Sequence, residues 1–170
     1  RLLVLRRAGA LLVADETWGL VALDAFGSLV HLEPSPQGLK TRTAPGRYGL
    51  FQGSLWWGEV TLGPERVERA VEPARITLRW TLPAGLEEGE RVRGSVALVP
   101  MTLWRERADL RARFSGAGVA FRAGLGAATL QLALGLRDTY RVVVRSDLGE
   151  VFREVELAPG HTLTLPLAPE

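Results

Sequence analysis

The chain has 170 residues, of which 46% are apolar and 24% charged, and its formal net charge is +2; this is the balance of a folded globular protein able to bury a core without a disulfide or metal staple. It contains no cysteine, which excludes disulfides, thiolate zinc sites, iron–sulfur clusters and cysteine nucleophiles. The near-neutral charge is not that of most nucleic-acid-binding domains, and no run approaches the ~20 apolar residues of a transmembrane helix.

Lys40 is the only lysine among 21 basic residues, Ile76 the only isoleucine and Met101 the only methionine, and asparagine is absent. This usage reads as the product of a GC-rich genome, and the shortage of thermolabile residues would also suit a thermophile. No signal peptide is visible, and an opening Arg1 fits a mature chain whose leader was removed as well as a trimmed one.

In chain order, the first third predicts a β-meander. Short apolar runs at residues 2–5, 11–14, 19–23 and 28–32 are separated by the turn signals Ala8-Gly9, Asp15-Glu16-Thr17 and Phe26-Gly27-Ser28. Runs of this length are strands, because helices need ten or more residues. The stretch 33–46, with Pro34, Pro36, Pro45 and Lys40, reads as a loop. The β pattern resumes at residues 48–51 and 55–62 around a Gly53-Ser54 turn. A charged passage, 65–73, reads as one helical turn or an extended connector and marks a domain boundary. Two domains are therefore expected, a small β-meander or barrel-like one over 1–63 and a β-sandwich over 74–170.

Beyond the boundary, residues 75–82 put Ile76, Leu78, Trp80 and Leu82 on one face, and residues 91–99 put Val92, Val96 and Leu98 on one parity. Residues 104–114 alternate at period two, with Trp104, Ala108, Leu110, Ala112 and Phe114 on one parity and Arg105, Arg107, Asp109, Arg111 and Arg113 on the other. The expected element is a two-faced strand carrying an arginine ladder. The rival is a helix, since Leu, Arg, Glu and Ala are strong helix formers; its stripe would be Leu103, Arg107, Leu110 and Phe114, interrupted by the charge of Arg107. Glycine-punctuated strands follow at 119–122, 129–136, 140–145, 150–157 and 162–167, with turns at Asp147-Leu148-Gly149 and Pro159-Gly160.

The opening Leu86 to Val96, the stretches Leu110–Phe114 and Gly118–Phe121, and the close Tyr140–Val144 with Glu154–Leu165 together resemble bacterial immunoglobulin-like β-sandwich domains, and the tail looks like the end of carboxypeptidase-regulatory-like modules. The Cys–Trp–Cys hallmark of antibody domains is missing. The resemblance implies an adhesive, spacing or scaffolding role and supplies no catalytic residues.

His31 and His161 are the only near-neutral acid–base groups and fit no metal motif. No nucleophile elbow surrounds Ser28, Ser54 or Ser146, and no P-loop is present. The expectation is an all-β, non-enzymatic protein without metal or cofactor. Its role is binding, adhesion or scaffolding in a cell envelope or extracellular assembly, with a protein or surface polymer as partner rather than nucleic acid. Arg105, Arg107, Arg111 and Arg113 are candidate contacts, because strand positions two apart lie about 7 Å from each other, near the spacing of phosphates along a polymer. An anion-binding module built on that ladder is the alternative. Trp56 and Trp57 are the other candidates: adjacent indoles on a strand point to opposite faces, so one can be core and the other exposed.

Overall fold

The computed structural model describes residues 2–7, 10–11, 18–24, 29–72 and 74–169. The chain is all-β: among the described residues the strands form four largely antiparallel sheets, with two short helices. It divides into two compact units, Arg1–Pro73 and Ala74–Glu170.

In the first unit the strands are β1 (Leu2–Arg7), β2 (Ala10–Leu11), β3 (Trp18–Ala22), β4 (Val30–His31), β5 (Glu33–Ser35), β6 (Gly38–Lys40), β7 (Gly46–Gln52), β8 (Leu55–Leu62) and β9 (Val67–Ala70). One sheet has the order β2-β1-β6-β5, with β9 parallel to β1; the other is β4-β3-β7-β8. Leu3, Leu5 and Leu39 from the first sheet share a core with Leu20, Leu50, Trp57 and Val60 from the second. The turn signals Ala8-Gly9, Asp15-Glu16-Thr17 and Phe26-Gly27-Ser28 lie outside the described residues.

Two sequence expectations are corrected here. The stretch read as a loop holds the β5–β6 hairpin, paired Glu33↔Lys40 through Ser35↔Gly38. Its proline is tolerated because β5 ends its sheet, where a missing N–H breaks no ladder. Within the charged passage 65–73, residues 67–70 are neither helical turn nor connector but strand β9. Val67–Ala70 pairs in parallel with Leu3–Arg6, and its alternating half-buried and exposed residues are the pattern of a strand covered on one face.

The second unit comprises β10 (Ala74–Thr81), β11 (Val92–Pro100), α1 (Met101–Glu106), a 3-10 turn (Ala108–Leu110), α2 (Arg111–Gly116), β12 (Val119–Ala123), β13 (Thr129–Leu134), β14 (Asp138–Ser146), β15 (Gly149–Leu157) and β16 (Thr162–Pro166). The sheets are β13-β10-β16 and β12-β11-β14-β15. They face each other: Trp80 of β10 stacks on Phe121 of β12 with ring centroids 4.4 Å apart. Ile76, Leu78 and Trp80 are buried as the alternation predicts. Lettered A to G in chain order, the sheets read D-A-G and C-B-E-F. Constant-type immunoglobulin domains instead place ABED against CFG, so the unit shares their seven-stranded sandwich architecture with a different strand order. Gly94 sits where β11 passes closest to its neighbours; a Cβ there would lie 2.2 Å from the Arg145 carbonyl oxygen.

Residues 101–116 form two short helices and a 3-10 turn, with a non-helical break at Arg107, which corrects the expected strand at 104–114. The buried side chains are Met101, Leu103, Arg107, Phe114 and Ser115, while Ala108 and Ala112, assigned to the core face of a strand, are exposed. Arg107 interrupts the helix, lying at the break between α1 and the 3-10 turn, yet it is buried at 2% exposure. Its guanidinium forks onto the Asp109 carboxylate, with Nε–Oδ1 at 2.9 Å and Nη2–Oδ2 at 2.7 Å. A bidentate carboxylate two residues away lets a charged head occupy an apolar stripe.

Both tyrosines of the chain play the same part. Tyr48 Oη donates to the Ala44 carbonyl at 2.7 Å, and Tyr140 Oη donates to the Leu136 carbonyl at 2.6 Å. Each closes a corner four residues upstream, at the entry to β7 and to β14 respectively.

Candidate functional site

The outward parity of β14 and β15 carries Arg141, Val143 and Arg145 opposite Glu154, Phe152 and Glu150. Two of these pairs are ionic, Arg141–Glu154 at 3.0 Å and Arg145–Glu150 at 2.6 Å. Arg145 also reaches the helical segment, donating from Nη1 to the Ser115 carbonyl at 2.7 Å. The helices therefore lie against this face of the sheet and leave its β15 margin open.

At that margin four side chains form one stack. The Arg141 guanidinium lies between two rings, 4.3 Å from the centroid of Trp104 and 3.7 Å from that of Phe152. On Trp104, the Arg111 guanidinium sits 4.9 Å from the ring centroid, and Arg111 Nε donates to the Trp104 carbonyl at 2.6 Å. Arginine over an aromatic face contributes about 0.5–2 kcal/mol, more as the cation loses water. Only 18% of the Arg141 side chain is exposed, whereas Phe152 is 55% exposed. The result is an aromatic ring in solvent whose neighbours are already immobilised, an arrangement suited to gripping a partner rather than to bond chemistry.

The other predicted contacts are dispersed. Spread over two short helices and the break between them, the four arginines no longer share a face: Arg105 and Arg113 are exposed, Arg111 is half-buried in the stack, and Arg107 is buried and paired with the exposed Asp109. The ladder that would have tracked an anionic polymer does not form. Asp109 is held below the usual carboxylate range, chiefly by the hydrogen bonds from Arg107, and the same contact raises the Arg107 guanidinium.

Trp56 and Trp57 do point to opposite faces of β8, but both are buried, at 2% and 4% exposure. Trp57 joins the core beside Trp18, ring centroids 5.8 Å apart. Trp56 lies on Phe51 at 5.1 Å and over Gly49, where a Cβ would meet its ring at 2.5 Å. The exposed indole expected of this pair is absent. Trp57 Nε1 has no acceptor among the described residues.

His31 is exposed on β4, while His161 closes the Pro159-Gly160 turn, its Nδ1 accepting from the Ala158 amide at 3.4 Å. The two belong to different units. Among the described residues no group of three His, Asp or Glu is placed to hold a metal, and no helix is long and apolar enough to cross a membrane.

Sequence reasoning did not single out Arg141 or Phe152. Their shared parity across the Asp147-Leu148 turn was the available signal. Trp104 was read as a core residue of a strand, and only a helix turns it onto Arg141.

No protein-family model matches the sequence, and no curated protein matches it significantly. Among solved structures the chain is similar to GBS52, the minor pilin of the Gram-positive pathogen Streptococcus agalactiae, at 7% identity and a TM-score of 0.39 over 98% of this chain and 94% of that one. It is also similar to the Bacillus anthracis TIE protein, at 8% identity and a TM-score of 0.35 over 98% of this chain and 32% of that one. Likeness at this level carries no argument, and the reading of this chain rests on its own residues.

Proposed function

We propose that this chain is a non-catalytic binding protein of a cell envelope or extracellular assembly, whose contact surface is the β15 margin of the second unit. The observation that carries this reading is Phe152, an exposed ring fixed against an arginine that is itself fixed against Trp104. Holding anchors in place before contact lowers the entropy lost on binding, which is what distinguishes a binding hot spot from an incidental apolar side chain. The seven-stranded sandwich and the resemblance to bacterial immunoglobulin-like and carboxypeptidase-regulatory-like domains support a role in adhesion, spacing or scaffolding.

Surface plasmon resonance on immobilised peptidoglycan, mucin and collagen tests the reading. Capture of the wild-type chain on one of them should weaken about tenfold or more in Phe152→Ser, the loss typical of a hot-spot anchor. Thermal melting should fall by only a few degrees, because the ring is 55% exposed and its removal costs one stacking contact with Arg141. Capture on none of these surfaces, or capture indifferent to Phe152→Ser, would refute the proposal.

A further inference from the structure

The first unit contains a groove of about 270 Å³, formed by β4, the β5–β6 hairpin and the segment that follows it. Its walls carry His31, Lys40 and Arg42, all exposed, with Thr41 and Thr43 between and beside them. Glu33 is the single carboxylate on the wall. It stands opposite Lys40 in the hairpin register, yet no ion pair joins them. Two permanent cations, Lys40 and Arg42, therefore meet one carboxylate.

The segment bearing Arg42 is fixed on both sides. The Thr43 amide donates to Thr41 Oγ1 at 3.2 Å, and Thr41 is buried. Thr43 Oγ1 lies 2.9 Å from Tyr48 Oη, whose own hydrogen goes to the Ala44 carbonyl. A phenol has one hydrogen to give, so Thr43 is the donor in that pair. The corner made by Tyr48 thus sets the backbone from Thr41 to Ala44 and holds Arg42 beside Lys40.

We infer that this groove binds a compact oxyanion, a sulfate or phosphate group, free or carried on a polymer. Lysine offers a point charge with three donors and arginine a planar fork, and together they satisfy a tetrahedral oxyanion from two directions. The chain's one lysine stands here, in a protein that otherwise uses arginine for every permanent positive charge. The groove is in the first unit and owes nothing to the surface proposed above, so either can fail without the other.

Heparin-affinity chromatography of the full chain tests this, with inorganic sulfate and a heparin octasaccharide as competitors at matched ionic strength. The wild type should be retained at low salt, and the Lys40→Gln/Arg42→Gln variant should elute earlier. Its binding should show a log–log salt dependence shallower by about two, one for each cation lost. Glu33→Gln should elute later than wild type, a gain that loosening of the fold would not produce. Arg105→Gln/Arg113→Gln should elute with the wild type. Competition by inorganic sulfate would identify the isolated group as sufficient; competition by the octasaccharide alone would identify the polymer-borne group, and both support the site. Failure of the wild type to bind heparin, retention unchanged in the Lys40/Arg42 variant, or retention lost in the Arg105/Arg113 variant would overturn it.

Discussion

Replacing Tyr140 with phenylalanine removes one oxygen from the start of β14 and leaves the buried ring in place. The lost hydroxyl donates to the Leu136 carbonyl at 2.6 Å, and the ring is only 2% exposed, so water does not readily take its place. Losing the bond costs about 1 kcal/mol. For a unit of this size that corresponds to a fall in Tm of about 4–8 °C. Burial pushes the Tyr140 phenol well above its ordinary value near 10, with the Asp138 charge adding to the effect and the Leu136 hydrogen bond opposing it. A folded-state value above the unfolded one means stability that is present below about pH 10 and declines as pH rises beyond it, because the unfolded chain then releases a proton the folded one retains. The variant lacks this linkage, so the gap between the two proteins should narrow in alkaline solution. Urea denaturation followed by tryptophan fluorescence between neutral pH and pH 11 measures both effects, and an unchanged m-value would place the change in the folded state. A Tm within about 2 °C of wild type, against the roughly 4–8 °C expected, would refute the corner as a structural tie. A gap constant with pH would refute the burial of the phenol.

Further outcomes follow from Arg107 and its carboxylate and from the two buried indoles of β8. Asp109→Asn leaves the enclosed Arg107 guanidinium without its carboxylate and should lower Tm more than Glu156→Gln, which breaks an exposed pair with Arg137. Because the Asp109 carboxyl is held below its ordinary range, its contribution is present above about pH 4 and lost as pH falls through the depressed value, so acid melts of wild type and Asp109→Asn should converge there. Trp57→Phe deletes an indole N–H that has no acceptor among the described residues, and this relief offsets the smaller ring; its stability should stay within about 1 kcal/mol of wild type. Trp56→Phe, which removes packing against Phe51 and Gly49, should cost about 2 kcal/mol. A larger loss in Trp57→Phe, read by chemical denaturation, would show that its indole N–H is satisfied.

The sequence by itself determined most of the strands of the second unit, because alternation at period two, broken by Gly, Pro and Asp, reports a half-buried extended chain directly. Ile76, Leu78 and Trp80 are inside, and the turns at Asp147-Leu148 and Pro159-Gly160 stand where those residues put them. Tertiary structure decided the rest, wherever a partner distant in the chain supplies what local pattern lacks. Val67–Ala70 is a strand because β1 offers it a ladder, and Pro34 is admitted to β5 because that strand ends its sheet. Trp56 and Trp57 alternate as a strand requires, but whether an outward indole meets water depends on what covers that face, and both are enclosed. The arginines at 105, 107, 111 and 113 satisfy a strand and a helix almost equally by pattern. The carboxylate of Asp109 lets Arg107 be buried, and the sheet receives Trp104 against Arg141. Those contacts select the helix, dissolve the ladder and create the Phe152 surface in its place.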